Sequence, residues 1–266
     1  MFWKVTSDTS VTYLLGSIHL GSKDMYPLPK EIEEAFESSS ALIVEADVRH
    51  VDMQKTQAMV LAKGMYPSDD DLWKHVSPET RKSVEQFCAK FELPVEALAR
   101  MKPWVVAVTL ATVPMLKGGM DPTLGIDNYF LEKSGKKRIV EIESAEWQLN
   151  LLSSFTDEQQ EQFLRAASEE GTELMATLKR LQDAWTNGDA EKMDALIRDT
   201  SRTPQEINKK LLTDRNPHMA DVAEQFLKGK DQAFLVVGAA HLVGKEGLVA
   251  VLQKRGYKVE QVLLKK

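Results

Sequence analysis

Val11-Thr12-Tyr13-Leu14-Leu15-Gly16-Ser17-Ile18-His19-Leu20-Gly21, near one end of the chain, is answered by Phe234-Leu235-Val236-Val237-Gly238-Ala239-Ala240-His241-Leu242-Val243-Gly244 near the other. Each is an apolar run followed by Gly-x-x-His-Leu. Both runs are short and rich in β-branched and aromatic residues, which predicts buried strands rather than helices. A glycine straight after a strand admits backbone angles closed to other residues, or the close approach of another backbone. A histidine three residues on stands in the loop at the strand's carboxyl end, where open α/β sheets bind ligands. A single Gly-x-x-His is weak, because most histidines are structural or solvated. The repetition is the signal: two of the five histidines (His19, His50, His75, His218 and His241) share one context. Two such loops set side by side would aim two imidazoles at one point.

The rest of the chain places strands towards both ends and helices between them. Ala41 to Val48 reads as a buried strand ending in acids, Arg138 to Glu143 as another, and Lys258 to Leu263 as the last. Helical patterns run through Ile32, Ala35 and Phe36, from about Asp52, from Ser77-Pro78-Glu79 with Pro at the first helical position, and from Pro103. Thr156-Asp157-Glu158-Gln159 and Thr203-Pro204-Gln205-Glu206 both have capping-box form. A further helix is expected over Lys245–Lys254. No Gly/Ser- or Pro-rich linker divides the chain, so residues 1–266 read as one α/β domain, with the helices of about 144–230 as an inserted cap.

Composition narrows the function classes. Of 266 residues, 43% are hydrophobic and 28% charged, ordinary values for a globular protein, and the net charge of −6 argues against a nucleic-acid binder. Cys88 is the single cysteine, which excludes an intrachain disulfide and a cysteine-based zinc site; its helical surroundings read as core. The apolar stretch Trp104 to Leu116 is too short to span a bilayer and contains Pro114. The opening Phe2-Trp3-Lys4-Val5 has no charged region and apolar core of a signal peptide ahead of it. That fits a cytoplasmic protein, or a periplasmic or cell-surface one whose leader has been removed.

Among the charged residues, Glu45 closes Leu42-Ile43-Val44 at a strand end, and alternation puts Ile43, Glu45 and Asp47 on one face. Such a carboxylate either runs into solvent or, if buried, must be paired or bound to metal. Glu141 and Glu143 carry the same ambiguity. Asp127 suits the first turn of a helix, where its charge favours the dipole. Arg215 and Asn216 lie in the polar cluster Asp214-Arg215-Asn216 ahead of Pro217, which either starts the helix running to Lys228 or kinks a longer one. His218 reads as helix surface; His50 and His75 read as exposed.

These motifs, in this order, resemble the TraB/PrgY/GumN family, which includes the Tiki proteins. The resemblance rests on the twin Gly-x-x-His segments, Val44-Glu45, Gly125-Ile126-Asp127 and Asp214-Arg215-Asn216-Pro217-x-Met219. Phe2-Trp3-Lys4-Val5, Met25-Tyr26-Pro27-Leu28-Pro29 and Glu141-x-Glu143-x-x-x-Trp147-Gln148 fit its bacterial branch. The resemblance covers nearly the whole chain. It implies the erythromycin-esterase/ChaN-like fold: α/β, with a central mixed sheet flanked by helices and a helical insertion. It also implies a metal-dependent peptidase, because Tiki members are proteases supported by manganese or cobalt. Carried over by residue, it nominates His19, Glu45 and His241 as metal ligands and Glu45, Arg215 and Asn216 as catalytic, with Asp127 a weaker addition. Two imidazoles and a carboxylate leave positions open on a divalent cation, and the resemblance implies manganese or cobalt rather than zinc. Glu45 would be a ligand or the general base, and Arg215 would hold a developing oxyanion or a substrate carboxylate.

The expected partner is a peptide or protein substrate, with no nucleic acid and no membrane span; a homodimer stays open. Two other functions use the same residues: a peptide- or pheromone-sequestering protein without turnover, and a haem- or metal-binding protein of ChaN type.

Overall fold

The computed structural model describes residues 1–171 and 174–264. Its sheet contains β1 (Phe2–Thr6), β2 (Val11–Ser17), β3 (Ala41–Val44), β4 (Arg138–Glu141), β5 (Ala233–Gly238) and β6 (Lys258–Gln261), in the order β4-β3-β5-β2-β1-β6. The fold is α/β. Strands β4, β3, β5 and β2 run parallel, while β1 and β6 add antiparallel neighbours, so the sheet is mixed. The two apolar runs that precede the motif histidines are adjacent: Tyr13 pairs with Phe234 and Gly16 with Val237. β3 is buried along its whole length and β5 along all but its last residue. Strands covered on both faces read as unbroken Val/Leu/Ile runs, which is the pattern here. The edge strands β4 and β6 are short and present charged residues to solvent, which discourages further pairing.

Helix α1 (Lys30–Ser38) follows β2. Helices α2 (Met53–Gly64), α3 (Pro78–Lys90), α4 (Pro103–Lys117) and α5 (Ile126–Lys133) lie between β3 and β4. Between β4 and β5 come α6 (Ala145–Ser153), α7 (Asp157–Gly171), α8 (Leu174–Thr186), α9 (Ala190–Thr200), α10 (Gln205–Asn208) and α11 (Asn216–Leu227). The one-turn α12 (Ala239–Leu242) and α13 (Leu248–Lys254) precede β6. Phe36 of α1 and Phe130 of α5 pack on Phe234 of β5, with ring centroids 5.5 and 4.9 Å away. That aromatic cluster anchors one helical layer to the sheet centre. A second apolar cluster lies away from the sheet, built from Val84, Phe87 and Cys88 of α3, Val106 and Leu110 of α4, and Leu164 of α7. Helices from both sides of β4 therefore share one core. Among the described residues, no helix is long and apolar enough to cross a membrane.

Several local expectations need correction. The strand expected over Ala41–Val48 stops at Val44, so alternation does not carry Glu45 and Asp47 to a common face. Asp47 instead turns back on its own segment, accepting hydrogen bonds from the Arg49 backbone N–H and guanidinium. α13 begins at Leu248 rather than Lys245, after a turn at Gly244 with φ +82°. The first capping box forms in both halves, Gln159 N to Thr156 Oγ1 and Thr156 N to Gln159 Oε1. The second does not: α10 is capped by Pro204, with no side-chain cap. Pro217 starts α11 instead of kinking a longer helix.

The consequence for function is geometric. β2, β3, β4 and β5 all release their chains at the same edge of the sheet, the edge at which ligands bind in open α/β folds.

Candidate active site

The four segments leaving that edge carry His19, Glu45, Glu143 and His241; His241 stands in the one-turn α12, which follows β5 directly, rather than in the expected loop. Both motif glycines act through close approach. A Cβ on Gly16 would stand 3.1 Å from Ala239 Cα and Cβ, so its absence lets α12 seat against β2. A Cβ on Gly238 would lie 3.4 Å from Glu45 Oε1, 3.6 Å from His19 Nε2 and 3.7 Å from His241 Cδ2. Gly238 thus marks the point on which the two imidazoles and the carboxylate converge.

His19 is placed by two tightly packed backbones. A Cβ on Gly21 would fall 1.9 Å from Leu124 O, and one on Gly125 would fall 2.2 Å from His19 O. Hydrogen bonds between Gly21 and Asp121, and from Ile126 N to Ile18 O, close the seam. This brings Asp127, in the first turn of α5, against His19, with Oδ2 2.8 Å from Nδ1. A carboxylate accepts, so Nδ1 carries the proton and Nε2 presents its lone pair in the neutral ring. Ser17 Oγ donates to the same oxygen. Asp127 raises the His19 pKa to about 9, with a smaller contribution from Glu45, so without a cation the ring is protonated at pH 7 and a bound cation would take the place of the Nε2 proton. The ring is 61% exposed, so the site opens to solvent on this side.

His241 is buried in α12. Its Nδ1 lies 2.8 Å from Asn216 Oδ1, and Asn216 Nδ2 donates to Glu246 O at 2.7 Å. The amide orientation fixes the imidazole: Nδ1 donates, leaving the Nε2 lone pair available. Burial lowers the His241 pKa to about 4, so the ring is neutral at pH 7.

Glu45 leaves β3 and folds inward. Its Oε1 accepts from Gly238 N at 2.7 Å, and its Oε2 accepts from Arg215 Nη2 at 2.6 Å and Gln148 Nε2 at 3.2 Å. Burial acts to raise its pKa, but His241, His19 and Arg215 outweigh that and hold the carboxyl below the ordinary range. Arg215 also meets Glu143, through Nε to Oε1 at 2.8 Å and Nη2 to Oε2 at 2.7 Å, while Nη1 donates to Leu211 O. Arg215 sits just after a π-helical turn, Lys209–Thr213, and the Trp147 ring lies 5.8 Å from its guanidinium carbon.

The structure therefore brings His19, Glu45, Arg215, Asn216 and His241 into one cluster, with Asp127 behind His19. The sequence reading gave Glu143 and Gln148 no role. The signal for Glu143 was its place just beyond a strand end, as for Glu45, but Glu141 shares that signal and turns instead to the backbone N–H of Asp47. His50 pairs with Asp47, and His75 stacks on Tyr66; both are exposed and outside the cluster. His218 Nε2 is 3.2 Å from Ile142 O, at the margin of the cluster.

Among the described residues, no group of three or more His, Cys, Asp or Glu is arranged to hold a metal ion. The donors nevertheless suit a divalent cation in kind. Asn216 fixes the tautomer of neutral His241, and Asp127 backs Nδ1 of His19 in the same way, the usual backing of metal-binding histidine.

Comparison with known proteins gives a family match over almost the whole chain. The model of the TraB/PrgY/gumN family matches residues 1–261. A Shigella flexneri protein described as the uncharacterized protein YbaP is 26% identical over 247 residues, covering 91% of this chain and 88% of its own. Its Escherichia coli K12 counterpart is 26% identical over 246 residues, covering 91% and 87%. An uncharacterized protein of Treponema pallidum is 24% identical over 272 residues, covering 96% and 80%. No solved structure gives a significant match. Because the family match spans residues 1–261 and so takes in the whole cluster from His19 to His241, the chain belongs to the TraB/PrgY/gumN family.

Proposed function

We propose that this site hydrolyses peptide bonds of a peptide or protein substrate with the help of a divalent cation, manganese or cobalt ahead of zinc. The observation that carries the reading is the convergence of the His19 and His241 rings with Glu45 Oε1 around Gly238. His19 and His241 would hold the cation, with Glu45 facing the same space. A mixed nitrogen and oxygen donor set suits a divalent cation, zinc included; the order of the metals rests on the family resemblance. The cation, when bound, supplies Lewis-acid polarisation of a peptide carbonyl.

The chain's own residues do the rest. Asp127 and Asn216 fix the two imidazole tautomers. Asn216 works through His241, because it is buried and its amide is taken up between His241 and Glu246. Glu45 is kept anionic by the charges around it, with N–H donors on both oxygens. Arg215 donates to Glu45, Glu143 and Leu211 O, so most of its donors face the protein rather than a substrate. The exposed side at His19 is where an extended peptide enters.

The test is manganese titration by calorimetry, then mass spectrometry of a peptide library incubated with and without the metal. The parent should bind manganese and cleave, and His19→Ala and His241→Ala should each lose most binding and all turnover. Manganese binding unchanged in both variants would refute the reading, as would cleavage surviving in the double variant. Peptide capture without turnover under any metal would mark a sequestering protein instead.

A further inference from the structure

Arg215 has five N–H donors, and four hydrogen bonds from it are directed at protein acceptors. Glu143 takes the Nε–Nη2 edge in a two-pronged contact that fixes the guanidinium plane. The other Nη2 proton is thereby aimed at Glu45 Oε2. Gln148 Nε2 lies 3.2 Å from both Glu45 Oε2 and Glu143 Oε2 and ties the carboxylates together. The backbones are braced as well, since Glu143 N donates to Glu45 O at 2.8 Å. Arg215 alone would neutralise Glu45. A second buried carboxylate adds desolvation cost with no gain in charge balance, so its contribution must be sought in geometry.

We propose that Glu143, assisted by Gln148, is a positioning residue: it orients Arg215 and so locks the Glu45 carboxylate against the Gly238 N–H. The inference deepens the hydrolytic reading above and rests on it for the purpose of the lock. A carboxylate held from three sides keeps one oxygen, Oε1, facing the space between His19 and His241. Without Glu143 the long Arg215 side chain regains rotamers, and Glu45 can follow it out of register.

The test uses the metal-free full chain and reads the Gly238 amide directly. In Glu143→Gln, which keeps the shape and removes the charge and one acceptor, hydrogen exchange at Gly238 should accelerate about tenfold or more, the scale of a lost charge-assisted bond. Exchange at Leu235 and Val236 in the same strand should keep its parent value. In the same variant, manganese affinity should fall. Where Glu143→Gln does not fold, Gln148→Leu is the milder probe, with a severalfold acceleration confined to Gly238. Unchanged exchange at Gly238, or equal acceleration along the whole strand, overturns the proposal. The two readings fail separately. A parent that neither binds manganese nor cleaves, yet shows the localised Gly238 effect, sinks the peptidase and leaves the lock. An active parent whose Gly238 amide ignores Glu143→Gln sinks the lock and leaves the peptidase.

Discussion

Gly238→Ala separates the site from the fold more cleanly than replacement of any of the side chains proposed to hold the cation. The backbone at Gly238 has φ −47° and ψ 135°, which alanine adopts without strain. The added methyl would stand 3.4, 3.6 and 3.7 Å from Glu45 Oε1, His19 Nε2 and His241 Cδ2, all ordinary van der Waals contacts. Alanine also keeps the N–H that Glu45 accepts. Nothing is lost in the folded state, and the unfolded chain becomes less flexible, so stability should stay level or rise by about 0.4–1 kcal/mol. The same methyl fills the space on which the three functional groups converge. Manganese affinity should therefore drop at least tenfold, roughly the loss seen when the surroundings of a metal site are disturbed, and turnover should vanish with it. Urea unfolding followed by far-UV circular dichroism measures the first quantity and calorimetric titration the second. An alanine variant that binds manganese as tightly as the parent would show that no cation sits between these groups. A variant that loses stability would show that the space around Gly238 is not as open as the contacts indicate.

Two further outcomes follow from the same contacts. Gly125→Ala places a Cβ 2.2 Å from His19 O, against backbone that cannot rotate away; it should cost about 1–3 kcal/mol in urea unfolding and weaken manganese binding by loosening His19 from Asp127, whereas undiminished stability would contradict the tight seam. Asp47 is held down to about 2, first by the Arg49 side chain, against burial and with help from His50. Its folded pKa lies below the unfolded one, so its stabilisation is present above about pH 4 and disappears as pH falls towards 2. The shift corresponds to about 2 kcal/mol. Asp47→Asn should show that deficit at pH 7 and a shrinking one in the acid range; a deficit independent of pH would disprove the ion-pair account.

What the sequence disclosed and what it concealed divide along the range of the interactions. The side-by-side placement of the two motif segments was legible because each is an apolar run closed by the same glycine; that β2 and β5 pair directly and in parallel was visible only in the fold. The N-terminus of α3 at Ser77 and the Thr156–Gln159 box were legible because their bonds span three residues. Thr203-Pro204-Gln205-Glu206 has the same spelling and no such cap, since Pro204 itself takes the capping position. Partners brought together from distant elements left a weaker trace. Arg215 meets Glu143 across 72 positions and Glu45 meets Gly238 across 193. Glu141 and Glu143 look alike in the sequence, yet one ends on a backbone N–H and the other on a buried guanidinium. That choice depends on where the π-helical turn delivers Arg215, and so on the packing of a segment the strand cannot specify. The residues proposed to hold the cation were legible because their pattern is rare: two histidines in matching segments, an acid where an apolar strand ends. The residues that hold them are common types in common settings, and only the assembled fold distinguishes Glu143 from the chain's other acids.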